Sequence, residues 1–353
     1  MRAWEQNIRT VVPYVPGEQP QSADIIKLNT NENPYPPAPG VSRALETLDP
    51  DLLRRYPDPA ASDLTAAIAG YYGMKPGQVF AGVGSDDVLA MAFLTCFCSE
   101  EPILFPDITY SFYDVWAELF RIPYEKQPLD EEFRIRTKDY AKKNGGIIFP
   151  NPNAPTGIYK PLSEVEEIVS MHPDVIVIVD EAYIDFGGVS ARKLLDKYDN
   201  LLIAQTFSKS RSMAGMRIGF LLGNETLIGY INDCKYSFNS YTMSQAAIAA
   251  GVESIKDQAY FSRCVQNIID VREWSKIRFT DLGFECTDSM ANFLFVTHKE
   301  YPAEQLFEML KKAGIYVRHF QRPARIRNYL RITIGTKEEM EALFACLEQY
   351  VTC

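Results

Sequence analysis

Lys209 stands alone between Ser208 and Ser210 in TFSKSRSMAG (206–215), directly after the apolar run NLLIAQ (200–205). A lysine in a serine-rich turn is ordinarily a solvated loop residue. At the end of a buried strand, however, partial burial lowers its pKa and frees an amine able to form a Schiff base with a carbonyl. Asp180 raises the same question at the end of VIVIV (175–179). A carboxylate there is costly to bury unless it meets a cation, and its bland alternative is a helix cap. Tyr183 follows three residues later.

Other candidates also follow apolar runs. In GVGSDD (82–87), Gly82 and Gly84 permit a tight turn, and Ser85 and Asp86 open a helix whose free amides suit a phosphate, unless they are only caps. Tyr110 lies just past PILFP (102–106), where packing and ligand stacking are both open. NPNAPTGIY (151–159) is a rigid polar turn suited to a fixed hydrogen-bonding wall. Arg217 leads a strand in MAGMRIGF, an ordinary surface position that also suits a phosphate. Together these groups suit pyridoxal phosphate (PLP). Its aldehyde needs a lysine, its ring nitrogen an acid, and its phosphate helix amides and an arginine.

Positioning them requires an open sheet. Short, continuous apolar runs recur between helical patterns such as SDDVLAMAFLTCF, SFYDVWAELF and LSEVEEIVSMH. That pattern predicts an α/β, three-layer, mostly parallel sheet, with ligands at the carboxyl ends of its strands. The expected large domain covers residues 46–274. A smaller α+β domain follows over 275–353, where strand and helix patterns change rhythm. Residues 1–45 read as a proline-rich arm and part of the small domain.

Composition narrows the function. The 353 residues are 46% hydrophobic and 23% charged, with a net charge of -10, which argues against nucleic acid as a partner. No apolar run approaches a membrane span, and no secretory core opens the chain, so a soluble, cytoplasmic protein is expected. Seven scattered cysteines read as reduced thiols. Three dispersed histidines leave no material for a zinc centre or a Ser-His-Asp triad.

Eight stretches carry a family resemblance in order along nearly the whole chain. They are PYVPGEQP (13–20), KLNTNENPYPP (27–37), RRYPDP (54–59), GVGSDD, NPNAPTG, VDEAYIDF, FSKSRSMAGMRIGF and YLRITIGT. The sequence resembles the fold-type I PLP aminotransferases, and within them the branch that acts on histidinol phosphate. The resemblance implies that Lys209 carries the Schiff base and moves the proton at the substrate α-carbon. Asp180 would pair with the ring nitrogen, Tyr183 would contact the ring 3-hydroxyl, and Tyr110 would stack on the ring. Ser85, Asp86, Ser208 and Arg217 would hold the phosphate. Tyr56 would reach across a homodimer interface into the neighbour's site. Tyr14, Asn31, Arg318 and Arg331 would face the substrate. One departure stands out. The family's asparagine before Pro-Thr-Gly is Ala154 here, so Asn153 is expected to take over the 3-hydroxyl contact, or Tyr183 to act with less help.

The substrate end has its own signal. RHFQRPARIRNYLR (318–331) holds five arginines in an acidic chain. The middle three read as a solvated face. Arg318 and Arg331, on strand-like segments, would suit a dianionic phosphate in one half-reaction and a glutamate carboxylate in the other. The implied reaction is ping-pong exchange between histidinol phosphate and 2-oxoglutarate. A threonine-phosphate decarboxylase, a broader aromatic aminotransferase and a non-catalytic PLP-fold binding protein are the rival readings.

Overall fold

The computed structural model describes residues 2–20 and 24–351. An extended arm leads to a short strand, β1 (Ile26–Lys27), then α1 (Pro39–Glu46) and α2 (Ser62–Tyr72). Strands and helices then intermix: β2 (Val79–Gly82), α3 (Ser85–Cys96), β3 (Ile103–Pro106), α4 (Phe112–Phe120), β4 (Tyr124–Gln127), β5 (Gly146–Pro150), α5 (Leu162–Met171), β6 (Val177–Asp180), β7 (Leu201–Thr206) and β8 (Gly219–Leu222). Three helices follow: α6 (Glu225–Phe238), α7 (Gln245–Lys256) and α8 (Gln258–Asp281). The chain ends with β9 (Phe284–Cys286), β10 (Phe293–His298), α9 (Ala303–Lys312), β11 (Ile315–Tyr316), β12 (Arg318–His319), β13 (Leu330–Thr333) and α10 (Lys337–Val351).

Among the described residues, seven strands form one sheet in the order β2-β8-β7-β6-β5-β3-β4. Pairs from β7 to β4 are parallel, and β8 is antiparallel to both its neighbours. Side chains alternate between two cores. Val177, Val179, Leu201 and Ile203 enter one, with Leu64 of α2, Ile168 of α5 and Ala247 of α7. Ile178, Leu202 and Ala204 enter the other, with Phe93 of α3, Trp116 of α4 and Ile228 of α6. Burial on both faces is why these strands read as unbroken apolar runs. Each buried Leu, Ile or Phe contributes about 1.5–3 kcal/mol, so the layers rather than the loops hold the sheet's edge in place.

Sequence reasoning missed β4. Its residues, Tyr-Glu-Lys-Gln, form no apolar run because the strand lies at the sheet's edge, where charged side chains deter further pairing.

Register sets the site. It aligns Pro150 with Asp180, Asp180 with Ala204, Thr206 with Gly219, and Gly219 with Gly82. Because β8 runs backwards, its start, preceded by Arg217, lies at the edge where β2, β5, β6 and β7 end.

The C-terminal part forms an antiparallel sheet, β12-β13-β10-β9, beside the parallel pair β1-β11. Its core joins Leu28 near the N-terminus to Phe279, Leu294, Leu310 and Phe344. The division expected between 274 and 275 falls inside α8, and both Ile268 and Phe279 of that helix pack into this core. Among the described residues no helix is long and apolar enough to cross a membrane, and no acidic, histidine and cysteine side chains group as metal ligands. Six cysteines are free, and Cys353 lies outside the described residues.

Candidate active site

Lys209 follows β7 by three residues, and its backbone carbonyl accepts from Asn33 Nδ2 at 3.1 Å. Its Nζ donates to the Thr30 carbonyl at 3.0 Å and lies 5.9 Å above the Tyr183 ring. Burial, with a further push from Arg331, lowers the ammonium to about 8. Asp180, at the end of β6, is buried. It accepts from Tyr113 Oη at 2.8 Å and from the Ala182 amide at 3.2 Å. Burial outweighs these bonds and raises it to about 6. No described cation pairs with it.

A cavity of about 170 Å³ opens above this edge, and its walls include Tyr14, Asn31, Tyr110, Ala154, Tyr183, Lys209, Arg318 and Arg331. Tyr110 donates to Asp86 Oδ1 at 2.7 Å. Tyr14, on the arm, stacks on Phe112 at 4.3 Å and closes one side. Arg318 and Arg331 are directly opposite each other on β12 and β13. Like charges so placed repel, and Arg331 Nε is buried without a partner. The Arg331 Nη2 donates to the Asn29 carbonyl at 3.0 Å. The pair is therefore primed for an anion. Arg322, Arg325 and Arg327 are exposed and lie away from the cavity.

Two of the phosphate candidates, Asp86 and Arg217, meet at the start of α3. Ser85 begins α3, whose first amides lack intrahelical acceptors. Arg217 Nη2 reaches Asp86 Oδ2 at 3.2 Å. With its carboxylate held by Tyr110 and Arg217, Asp86 has only its backbone amide left for an anion. The Ser208 hydroxyl accepts from Thr206 Oγ1 at 3.0 Å. Gly84 adopts φ +87°, and a Cβ there would lie 2.4 Å from Arg217 Nη2. Only glycine allows this approach.

Two expected residues lie elsewhere. Asn153 is buried inside its own turn. Its Nδ2 donates to the Ile108 carbonyl at 2.9 Å and Thr156 Oγ1 at 3.2 Å, and its Oδ1 accepts from Thr109 at 3.0 Å. Its side chain is used up holding the wall, so the expectation that it faces the cofactor ring is corrected. Ala154 faces the cavity in its place. Tyr56 is 80% exposed, stacks on Tyr241 and does not line this chain's cavity.

Residues 23–347 match the family described as aminotransferase class I and II. The chain belongs to that family. It is 50% identical over 344 residues to histidinol-phosphate aminotransferase 1 of Hydrogenovibrio crunogenus, covering 98% of this chain and 96% of that one. The histidinol-phosphate aminotransferase of Lactococcus lactis subsp. lactis is 48% identical over 349 residues, covering 99% and 97%. The solved histidinol-phosphate aminotransferase of Sinorhizobium meliloti, in complex with pyridoxal-5'-phosphate, has a TM-score of 0.82 at 22% identity, covering 93% and 91%. L-threonine-O-3-phosphate decarboxylase from Porphyromonas gingivalis has a TM-score of 0.78 at 18% identity, covering 93% and 100%. Fold alone therefore does not choose between transamination and decarboxylation.

The cofactor of this aminotransferase is pyridoxal phosphate, and the residues fit it. Asp180 is a buried acid lacking the cation that a protonated ring nitrogen would supply, and Lys209 is a part-buried amine in the cavity wall. Sequence reasoning missed Tyr113, which holds Asp180, and Thr30 and Asn33, which hold Lys209. Tyr113 had one signal, its place three residues after Tyr110 on a helical period.

Proposed function

We propose that this aminotransferase exchanges an amino group between histidinol phosphate and 2-oxoglutarate, in a ping-pong cycle serving histidine biosynthesis. The observation that carries the substrate reading is the in-register pair Arg318 and Arg331 in the same cavity as Lys209. Two guanidinium groups facing each other favour a dianionic phosphate and, in the other half-reaction, a side-chain carboxylate. The names of relatives near 50% identity point the same way.

Bound PLP supplies an aldehyde that bonds to amines and a ring that withdraws electrons from the reacting carbon. Asp180 would hold the proton on the ring nitrogen. Lys209 Nζ, eased toward neutrality by burial, moves the proton of the substrate's amine-bearing carbon. Tyr110 would pack against the ring, and Tyr183 would meet its hydroxyl. Ser85, the Asp86 amide, Ser208 and Arg217 would hold the phosphate. Tyr14 and the arginine pair grip the substrate and exclude water.

The exposed stack of Tyr56 on Tyr241, with Leu53 and Phe238 also exposed, supports a homodimer in which Tyr56 completes the partner's site. The free thiols suit a cytoplasmic location. Incubation with histidinol phosphate and 2-oxoglutarate tests the assignment. Glutamate should accumulate, and only when both substrates are present. Carbon dioxide release from threonine phosphate without a keto acid would instead favour the decarboxylase reading.

A further inference from the structure

Asn31 lines the cavity yet is only 1% exposed. Its backbone adopts φ +57°, a region that asparagine tolerates better than most residues. Three contacts lock it to the C-terminal part. Its amide donates to Thr333 Oγ1 at 3.0 Å, its Oδ1 accepts from that hydroxyl at 3.1 Å, and its carbonyl accepts from Asn292 Nδ2 at 3.0 Å. With Oδ1 so occupied, Nδ2 donates to Tyr183 Oη at 2.9 Å.

A phenol has one hydrogen. While Asn31 donates to the Tyr183 oxygen, that hydrogen must point away from Asn31. We infer that Asn31 is a positioning residue that directs the Tyr183 proton into the cavity, toward the cofactor's ring oxygen. The inference rests on Tyr183 being the ring-oxygen contact. It also explains how the site works without an amide at Ala154 and with Asn153 committed to its own turn. The lock on Thr333 adds a consequence. Thr333 and Arg331 lie two residues apart on β13, so they share a face. The strand that carries the substrate grip therefore also sets the Tyr183 proton.

The pH titration of the holoenzyme's visible band tests this without measuring turnover. A donor on the ring oxygen makes the lysine-linked nitrogen easier to deprotonate, so losing the donor raises the midpoint. Asn31→Ala should raise it by about 0.4–1 pH unit, the worth of an ordinary hydrogen bond. Tyr183→Phe should raise it at least as far. The double variant should go no further than Tyr183→Phe alone. Asn31→Asp keeps the side chain's size but takes the Tyr183 proton for itself, so it too should raise the midpoint. Thr333→Val, which frees the Asn31 amide without entering the cavity, should give a smaller rise.

A wild-type midpoint in both Asn31 variants, alongside a shifted Tyr183→Phe, would leave Asn31 idle and overturn the inference. Additive shifts in the double variant would overturn it as well, because Asn31 would then act apart from Tyr183. An unshifted Tyr183→Phe would remove the reading of Tyr183 itself, and the inference with it.

Discussion

Burial acts on Lys209 and Asp180 in the same way, against charge, and that yields opposite pKa shifts. Lowered to about 8, Lys209 has a substantial neutral fraction near physiological pH. Only the neutral amine attacks an aldehyde. Covalent uptake of PLP by the cofactor-free protein, followed by absorbance, should therefore quicken as pH rises through about 8 and then level off. A pH-independent rate would remove the free-amine role. Asp180 gives a stability prediction. Its folded value, about 6, lies above the usual 3.8. The stability this group contributes is thus present at low pH and lost as pH rises through about 6. In the cofactor-free protein Asp180→Asn should be more stable at neutral pH, by on the order of 3 kcal/mol. The gain should shrink in urea titrations below about 6. Turnover should fall roughly a hundredfold or more, because the ring nitrogen loses its anion.

At the scale of elements, the sheet's carboxyl edge does the positioning, and this was the most legible part of the sequence. Apolar runs marked β2, β3, β5, β6 and β7, and Ser85, Tyr110, Asp180 and Lys209 were found because each follows one. Contacts that depend on register were not legible. Tyr113 meets Asp180 across 67 residues and Asn31 meets Tyr183 across 152. Neither pairing has a local pattern. Asn153 was misjudged because composition shows that a turn is polar but not which way an amide faces. The antiparallel β8 likewise reads like its parallel neighbours, since both kinds of strand are buried on two faces here. Its direction brings Arg217 against the start of α3, where Gly84 leaves the space. Gly84→Ala should weaken PLP binding about tenfold or more by displacing Arg217 and straining the turn. Titration of the cofactor-free variant with PLP would show this, and unchanged affinity would detach Arg217 from the phosphate.

For the whole molecule, the proposed role of Tyr56 in the partner's site would make one chain an incomplete site. Mixed refolding of Lys209→Ala with Tyr56→Ala tests this. A hybrid dimer holds one site with both residues intact, so about a quarter of wild-type activity should return from two weakly active parents. No recovery would make Tyr56 a local packing residue. The larger arrangement joins two sheets around one cavity, with Lys209 at the edge of the main sheet and the arginine pair on the smaller one. The spectrum of the holoenzyme during addition of histidinol phosphate, and separately of glutamate, tests that arrangement most directly. Both amines are expected to replace the visible band with the shorter-wavelength absorption of the aminated cofactor. A band that glutamate converts and histidinol phosphate leaves unchanged would contradict the assigned substrate.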